Sequence, residues 1–173
     1  MDVEAFAGFL AGLDGVFDAP PPEGDPVDLL AHGLQCAHML RARYPDDLGL
    51  QLAGLVHDVG HAVGGGDPDH AKTGAAAVRP VLGDRVAELV ALHVEAKRYL
   101  AATEEYELSP ASRLSLRRQG AAMSEPEIVR FEALPEAAAA IALRWADEAA
   151  KVVGAVVPGL ETWIPRMRDY VGR

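Results

Sequence analysis

A histidine and an aspartate stand side by side in Leu55-Val56-His57-Asp58-Val59-Gly60-His61, behind a hydrophobic run. Neutral imidazole and ionised carboxylate together suit iron, manganese, zinc and similar divalent cations. All six histidines of the chain fall between His32 and His93. Outside that window the residues able to ligate are carboxylates, of which Asp147, in Arg144-Trp145-Ala146-Asp147-Glu148, has the most apolar surroundings. Thiolate chemistry is effectively excluded, because Cys36 is the only cysteine.

A dinuclear centre needs several nitrogen and oxygen ligands from different elements and a carboxylate that bridges two cations ~3.5 to 4 Å apart. The ordered set His32, His57, Asp58, His70, His93 and Asp147 meets that description, with Asp58 as the natural bridge. Taken one at a time, each residue has a plainer reading. A lone helical histidine is more often packed or exposed than a ligand, and Asp147 would also fit a carboxylate at the core edge paired with Arg144. His38 is assigned to that plainer class, because six residues beyond His32 it points about 120° away around the helix.

The elements that must position these residues are helices. Val3, Phe6, Phe9, Leu10, Leu13 and Phe17 recur at helical spacing until Ala19-Pro20-Pro21-Pro22-Glu23-Gly24 ends the run. Asp25-Pro26 then supplies a cap and a first-turn proline for a second helix reaching Tyr44, with His32 in its middle. Leu48 to about Ala62 forms a third, carrying His57-Asp58 near its end, before the loop Gly64-Gly65-Gly66-Asp67-Pro68. Asp69 caps a fourth that begins with His70, and Gly83-Asp84 separates it from a fifth reaching about Lys97 with His93 near its end. Ser109-Pro110 opens a helix through Gln119, Ser124 with Glu127 has the capping-box pattern, and Pro135 opens the helix of Asp147. A final stretch, Leu160 to Val171, is interrupted by Pro165. No period-two alternation or repeat occurs, so the expected fold is an all-α bundle of about seven to nine helices.

With 173 residues, half of them hydrophobic, the chain suits one domain over 1–173, with a metal-binding core over about 25–150 and a C-terminal helix over about 159–172. Its formal charge of −10 argues against nucleic acid, which needs clustered Lys and Arg. The acidic N-terminal stretch lacks a basic start, and no 18-residue apolar span follows, so no membrane partner and a cytoplasmic location are expected.

The ordered ligand set resembles the HD-domain superfamily of metal-dependent phosphohydrolases, over residues 25 to 150 or so. Three further stretches are similar to a narrower branch: Ala31-His32-Gly33-Leu34-Gln35-Cys36-Ala37, His93-Val94-Glu95-Ala96-Lys97-Arg98-Tyr99-Leu100, and Leu108-Ser109-Pro110-Ala111-Ser112 continuing to Ser115 and Gln119-Gly120. That branch holds the mixed-valence di-iron oxygenases of organophosphonate catabolism, relatives of myo-inositol oxygenase. The resemblance implies two iron ions, Fe(II)/Fe(III), with His32, His57, Asp58 and Asp147 on one and Asp58, His70 and His93 on the other. It implies that Lys97, Ser115, Gln119 and Arg144 bind the phosphonate and that His61 assists proton transfer. The branch usually has a tyrosine and a glutamate before the first histidine. Here the region reads Pro22-Glu23-Gly24-Asp25, without tyrosine, and Asp25 would take the glutamate's place opposite a substrate amine.

The activity implied is O2-dependent cleavage of the C–P bond of a hydroxylated (amino)alkylphosphonate. The same ligands would equally serve a hydrolase in which two Mn, Mg or Co ions direct water at a phosphate ester or nucleotide. A non-enzymatic HD module that binds a small ligand is a third class, against which the complete ligand set argues. Lys97 could instead complement a helix C-terminus, Arg144 pair with Asp147 or Glu148, and Ser115 and Gln119 cap or face solvent. Oligomeric state is not legible from one sequence.

Overall fold

The structure, a computed structural model, describes residues 1–20, 23–64, 66, 68–104 and 107–172. Pro21 and Pro22 of the proline run, and Gly65 and Asp67 of the glycine-rich loop, lie outside them. Among the described residues there are nine helices and no strand. They are α1 (Val3–Ala11), α2 (Leu29–Arg43), α3 (Leu48–Val56), α4 (Val59–Ala62), α5 (His70–Thr103), α6 (Pro110–Arg118), α7 (Glu125–Glu132), α8 (Ala137–Ala149) and α9 (Leu160–Val171).

The all-α expectation holds, while several boundaries move for local reasons. Helix α1 stops at Ala11 with Gly12 as its cap, not at Phe17, whose ring is left 46 % exposed. Helix α2 starts three residues later than Asp25-Pro26 suggests. Asp28, whose carboxylate accepts from Ala31 N at 2.8 Å, is the cap actually used. His32 therefore lies in the first turn of α2 and not in its middle. The third helix breaks at the His57-Asp58 pair, where Asp58 adopts φ −99° and ψ 5°, between the helical and extended basins. Asp69 makes no side-chain cap, and α8 begins at Ala137, after Glu136, whose carboxylate accepts from Arg85 and does not cap the helix. Pro165 sits inside a continuous α9. The Gly83-Asp84 separation survives as a sharp kink in α5, with Gly83 at φ 79° and ψ −179°, and the Ser124–Glu127 capping box is formed.

Helices α2, α3, α5 and α8 pack against one another, and α1 and α9 cover one side. Leu40, Leu50, Leu52, Leu89, Leu143, Trp163 and Met167 are the large side chains sealed between them. Each fully buried side chain of this size contributes about 1.5–3 kcal/mol. Two close approaches position the site. A Cβ on Gly33 would lie 2.3 Å from the carbonyl oxygen of Leu55, so only glycine lets α2 rest on the backbone of α3. A Cβ on Gly60 would lie 1.9 Å from the carbonyl oxygen of His70, so α4 lies directly on the first turn of α5. The first contact brings His32 beside His57, and the second brings Asp58 beside His70.

A junction outside the site holds α3, α5 and α8 together. Asp47 caps α3 through Leu50 N at 3.0 Å and takes both ends of the Arg85 guanidinium at 2.6 and 2.8 Å, while Arg85 Nε reaches Glu136 at 2.9 Å. No helix among the described residues is long and apolar enough to cross a membrane.

Candidate metal centre and substrate cavity

Six side chains converge where α2, the α3–α4 break, the two arms of α5 and the end of α8 meet. His32 Nε2 lies 3.1 Å from His57 Nε2 and 3.2 Å from Asp147 Oδ1, and His57 Nε2 lies 3.6 Å from that same oxygen. Across from them, His70 Nε2 lies 2.9 Å from His93 Nε2. Asp58 stands between the two groups. Its Oδ2 is 3.5 Å from both His32 and His57, and its Oδ1 is 3.7 Å from His70 and 3.6 Å from His93. One carboxylate thus presents one oxygen to each cluster.

The imidazoles are oriented by their far nitrogens. Nδ1 of His32 meets Ala150 O at 3.0 Å, Nδ1 of His57 meets Gly54 O at 2.9 Å, and Nδ1 of His93 meets Val90 O at 2.6 Å. A carbonyl can only accept, so each Nδ1 carries the proton and each Nε2 turns a lone pair toward the centre. In the His32–His57 pair, two such lone pairs approach to hydrogen-bond distance. That geometry needs a positive charge between the nitrogens, either a proton or a cation.

The electrostatics agree. Burial lowers the basicity of His57, yet the carboxylates of Asp58 and Asp147 outweigh it and raise its pKa to about 9. Burial, followed by the neighbouring His70 and His57, pushes His93 well below the usual histidine range. Burial works to raise both aspartates, but His57, His61 and His32 hold Asp58 low, and Arg144 and His57 hold Asp147 low. Asp147 and Glu148 also stand at the C-terminal end of α8, where the helix dipole disfavours anions, so cations must compensate them. Arg144 supplies part of that compensation by donating to both. Burial raises the Cys36 thiol well above its usual value, leaving it an inert core side chain.

These four imidazoles and two carboxylates fit divalent metals in their donor chemistry, in the tautomers of His32, His57 and His93, and in the placement of Asp58 between the two clusters. His61, on the open side of the second cluster, stacks on His70 with ring centroids 4.1 Å apart. Asp58, His61 and His70 offer ligand atoms within 4.8 Å of one another, so the geometry also admits His61 as a ligand. His38 is exposed on the far side of α2.

A cavity of about 270 Å³ opens against this centre. Lys97, one turn beyond His93 and only 5 % exposed, donates to Ser115 Oγ and to Gln119 Oε1, the latter at 3.0 Å. Arg144 also lines the cavity and donates to Ser112 Oγ at 3.3 Å. Asp25 lines the cavity and receives the ammonium of Lys151 at 3.0 Å through Oδ2, while its buried Oδ1 has no hydrogen-bond partner among the described residues. Lys151 also meets Ser112 Oγ at 2.8 Å and Glu148 Oε2 at 3.3 Å.

Sequence reasoning missed Lys151, Ser112 and Asp18 as cavity residues, while the pairing of Arg144 with Glu148 was one of its readings. Lys151 had a signal, since it follows Asp147 by only four residues. Asp18 had none, because the loop before α2 reaches the cavity only through the tertiary fold.

The sequence model of the HD domain matches residues 29–150. The chain is 36 % identical over 152 residues to hydroxymethylphosphonate dioxygenase of Gimesia maris, covering 80 % of this chain and 75 % of the relative. It is 32 % identical over 177 residues to the glycine-betaine-forming [1-hydroxy-2-(trimethylamino)ethyl]phosphonate dioxygenase of Leisingera caerulea, covering 93 % and 89 %. The matched span begins at the first residue of α2 and ends one residue past α8, enclosing all six converging side chains, and on that footing the chain belongs to the HD-domain family.

Proposed function

We propose that the protein is a di-iron oxygenase that uses O2 to cleave the C–P bond of a hydroxylated (amino)alkylphosphonate. The net change is R–CH(OH)–PO3²⁻ + O2 → R–COO⁻ + HPO4²⁻ + H⁺. The observation that carries this reading is the bridging geometry of Asp58 beside a cavity walled by Lys97 and Arg144. The similarity to two proteins named as phosphonate dioxygenases supports the same reaction class.

His32, His57, Asp58 and Asp147 would hold one iron, and Asp58, His70 and His93 the other. When bound, the mixed-valence iron pair supplies O2 activation and a Lewis-acidic seat for the substrate oxygens. The chain's own residues do the rest. Lys97, oriented by Ser115 and Gln119, would neutralise one phosphonate oxygen and Arg144 another, fixing the labile C–H bond relative to the centre. His61 would take the proton of the substrate hydroxyl oxygen from the open side of the cavity. The unpartnered Oδ1 of Asp25 favours a substrate that carries an N–H donor at its far end.

Oxygen uptake and phosphate release, measured together on iron-loaded protein with hydroxymethyl- and 2-amino-1-hydroxyethylphosphonate, test the proposal. One O2 consumed per phosphate released is the expected stoichiometry. Phosphate appearing at an equal rate under anaerobic conditions would refute it. Turnover of phosphate esters or nucleotides by Mn-, Mg- or Co-loaded protein would support hydrolysis in its place.

A further inference from the structure

Away from the ligands, one buried amide holds a single residue's backbone from both sides. Gln35, 3 % exposed, donates through Nε2 to Val152 O and accepts at Oε1 from Val152 N, each at 3.2 Å. Val152 lies just beyond α8, where the chain leaves regular structure and becomes exposed, with Val153 at 70 % and Val156 at 98 %.

The clamped segment does two things for the site. Ala150, two residues earlier, supplies the carbonyl that accepts from His32 Nδ1 at 3.0 Å. Lys151, between them, sends its ammonium into the cavity to Asp25 and Ser112. Gln35 is also one turn after His32 on the same face of α2. Helix and segment are therefore joined twice, once through the imidazole and once through the amide, and the second joint keeps the first in register.

We infer that Gln35 is a positioning residue of the metal centre: it holds Ala150–Val152 so that the Ala150 carbonyl fixes the His32 tautomer and Lys151 enters the cavity. Partners one step removed from a ligating histidine set its ring orientation, and losing them typically costs ~10–100-fold in metal affinity. The inference concerns the metal centre alone and holds whether the chemistry is oxygenation or hydrolysis.

Gln51 provides a matched control. It is also buried, lies in the first turn of α3, donates to Tyr44 O at 2.7 Å and Pro45 O at 3.1 Å in the α2–α3 turn, and accepts from Arg166 at 2.7 Å. Anaerobic Fe(II) binding to the full chain, by competition with a chromophoric chelator, is compared for wild type, Gln35→Met and Gln51→Met, together with thermal unfolding. Gln35→Met should weaken one of two Fe(II) ions by ~10–100-fold and leave the other unchanged. Gln51→Met should lower thermal stability without changing either affinity. If Gln35→Met does not fold, Gln35→Asn, whose amide reaches one carbon less far, is read in the same way. Wild-type affinities in every variant, or equal weakening in both Met variants, would overturn the role of Gln35 alone. A wild-type chain that takes up no Fe(II) would overturn the metal reading and this inference with it.

Discussion

Asp58 turns one oxygen to each histidine pair, and that is what sets it apart from Asp147, the other carboxylate of the centre. Asp147 turns one oxygen to the first cluster and gives the other to Arg144, so it cannot take over a bridge. Asp58→Ala should therefore remove at least one metal per chain and abolish turnover, as checked by elemental analysis alongside the oxygen-uptake assay. Lys97 tests a separate function, because its ammonium donates to Ser115 and Gln119 in the cavity wall. Lys97→Met keeps most of the packing, spares the metals and should raise the substrate KM about ten- to hundredfold, the size of one charge-assisted hydrogen bond. Unchanged kinetics in that variant would remove the main support for the phosphonate assignment.

At the scale of elements, glycines and caps decide whether the ligands meet. Gly60→Ala forces α4 away from the His70 carbonyl and carries Asp58 with it. It should destabilise the fold by about 1–3 kcal/mol and selectively weaken the metal held with His70 and His93, seen as a drop in metal content from two per chain. Asp47 joins α3 to α5, and the Arg85 guanidinium holds its carboxyl below the usual aspartate range, reinforced by the cap to Leu50. A depressed folded-state pKa contributes stability that is present above the unfolded-state value and lost as pH falls through the folded one. Asp47→Asn keeps the cap and loses the ion pair. Both partners are about one-third exposed, so the loss at neutral pH should be modest, within about 1 kcal/mol. The stability gap between wild type and variant, from denaturant unfolding, should close as the pH falls below the normal aspartate range.

Across the whole molecule, the six converging side chains come from positions spread between residues 32 and 147, and metals there would tie together α2, the α3–α4 break, both arms of α5 and α8. Anything that binds the folded chain and not the unfolded one stabilises it by mass action. Removing metal with a chelator should lower Tm by roughly 5–10 °C relative to protein holding metal at a hundredfold excess over Kd, and adding Fe(II) back should restore it. A Tm indifferent to chelator would contradict a centre shared by four helical elements.

The sequence by itself determined the helical class, the family resemblance and the order of the candidate ligands, because residue type and helical period are local properties written along the chain. Asp28, not Asp25, became the cap of α2, and the break of α3 at Asp58 was not legible, since both depend on which backbone lies nearby. Only the tertiary structure decided that Asp58 turns one oxygen to each histidine pair, that Lys97 meets Ser115 and Gln119, and that Lys151 and Asp18 reach the cavity. Those facts depend on close packing between helices far apart in sequence, where the missing Cβ of Gly33 and Gly60 sets the approach, and no periodicity along the chain encodes that distance.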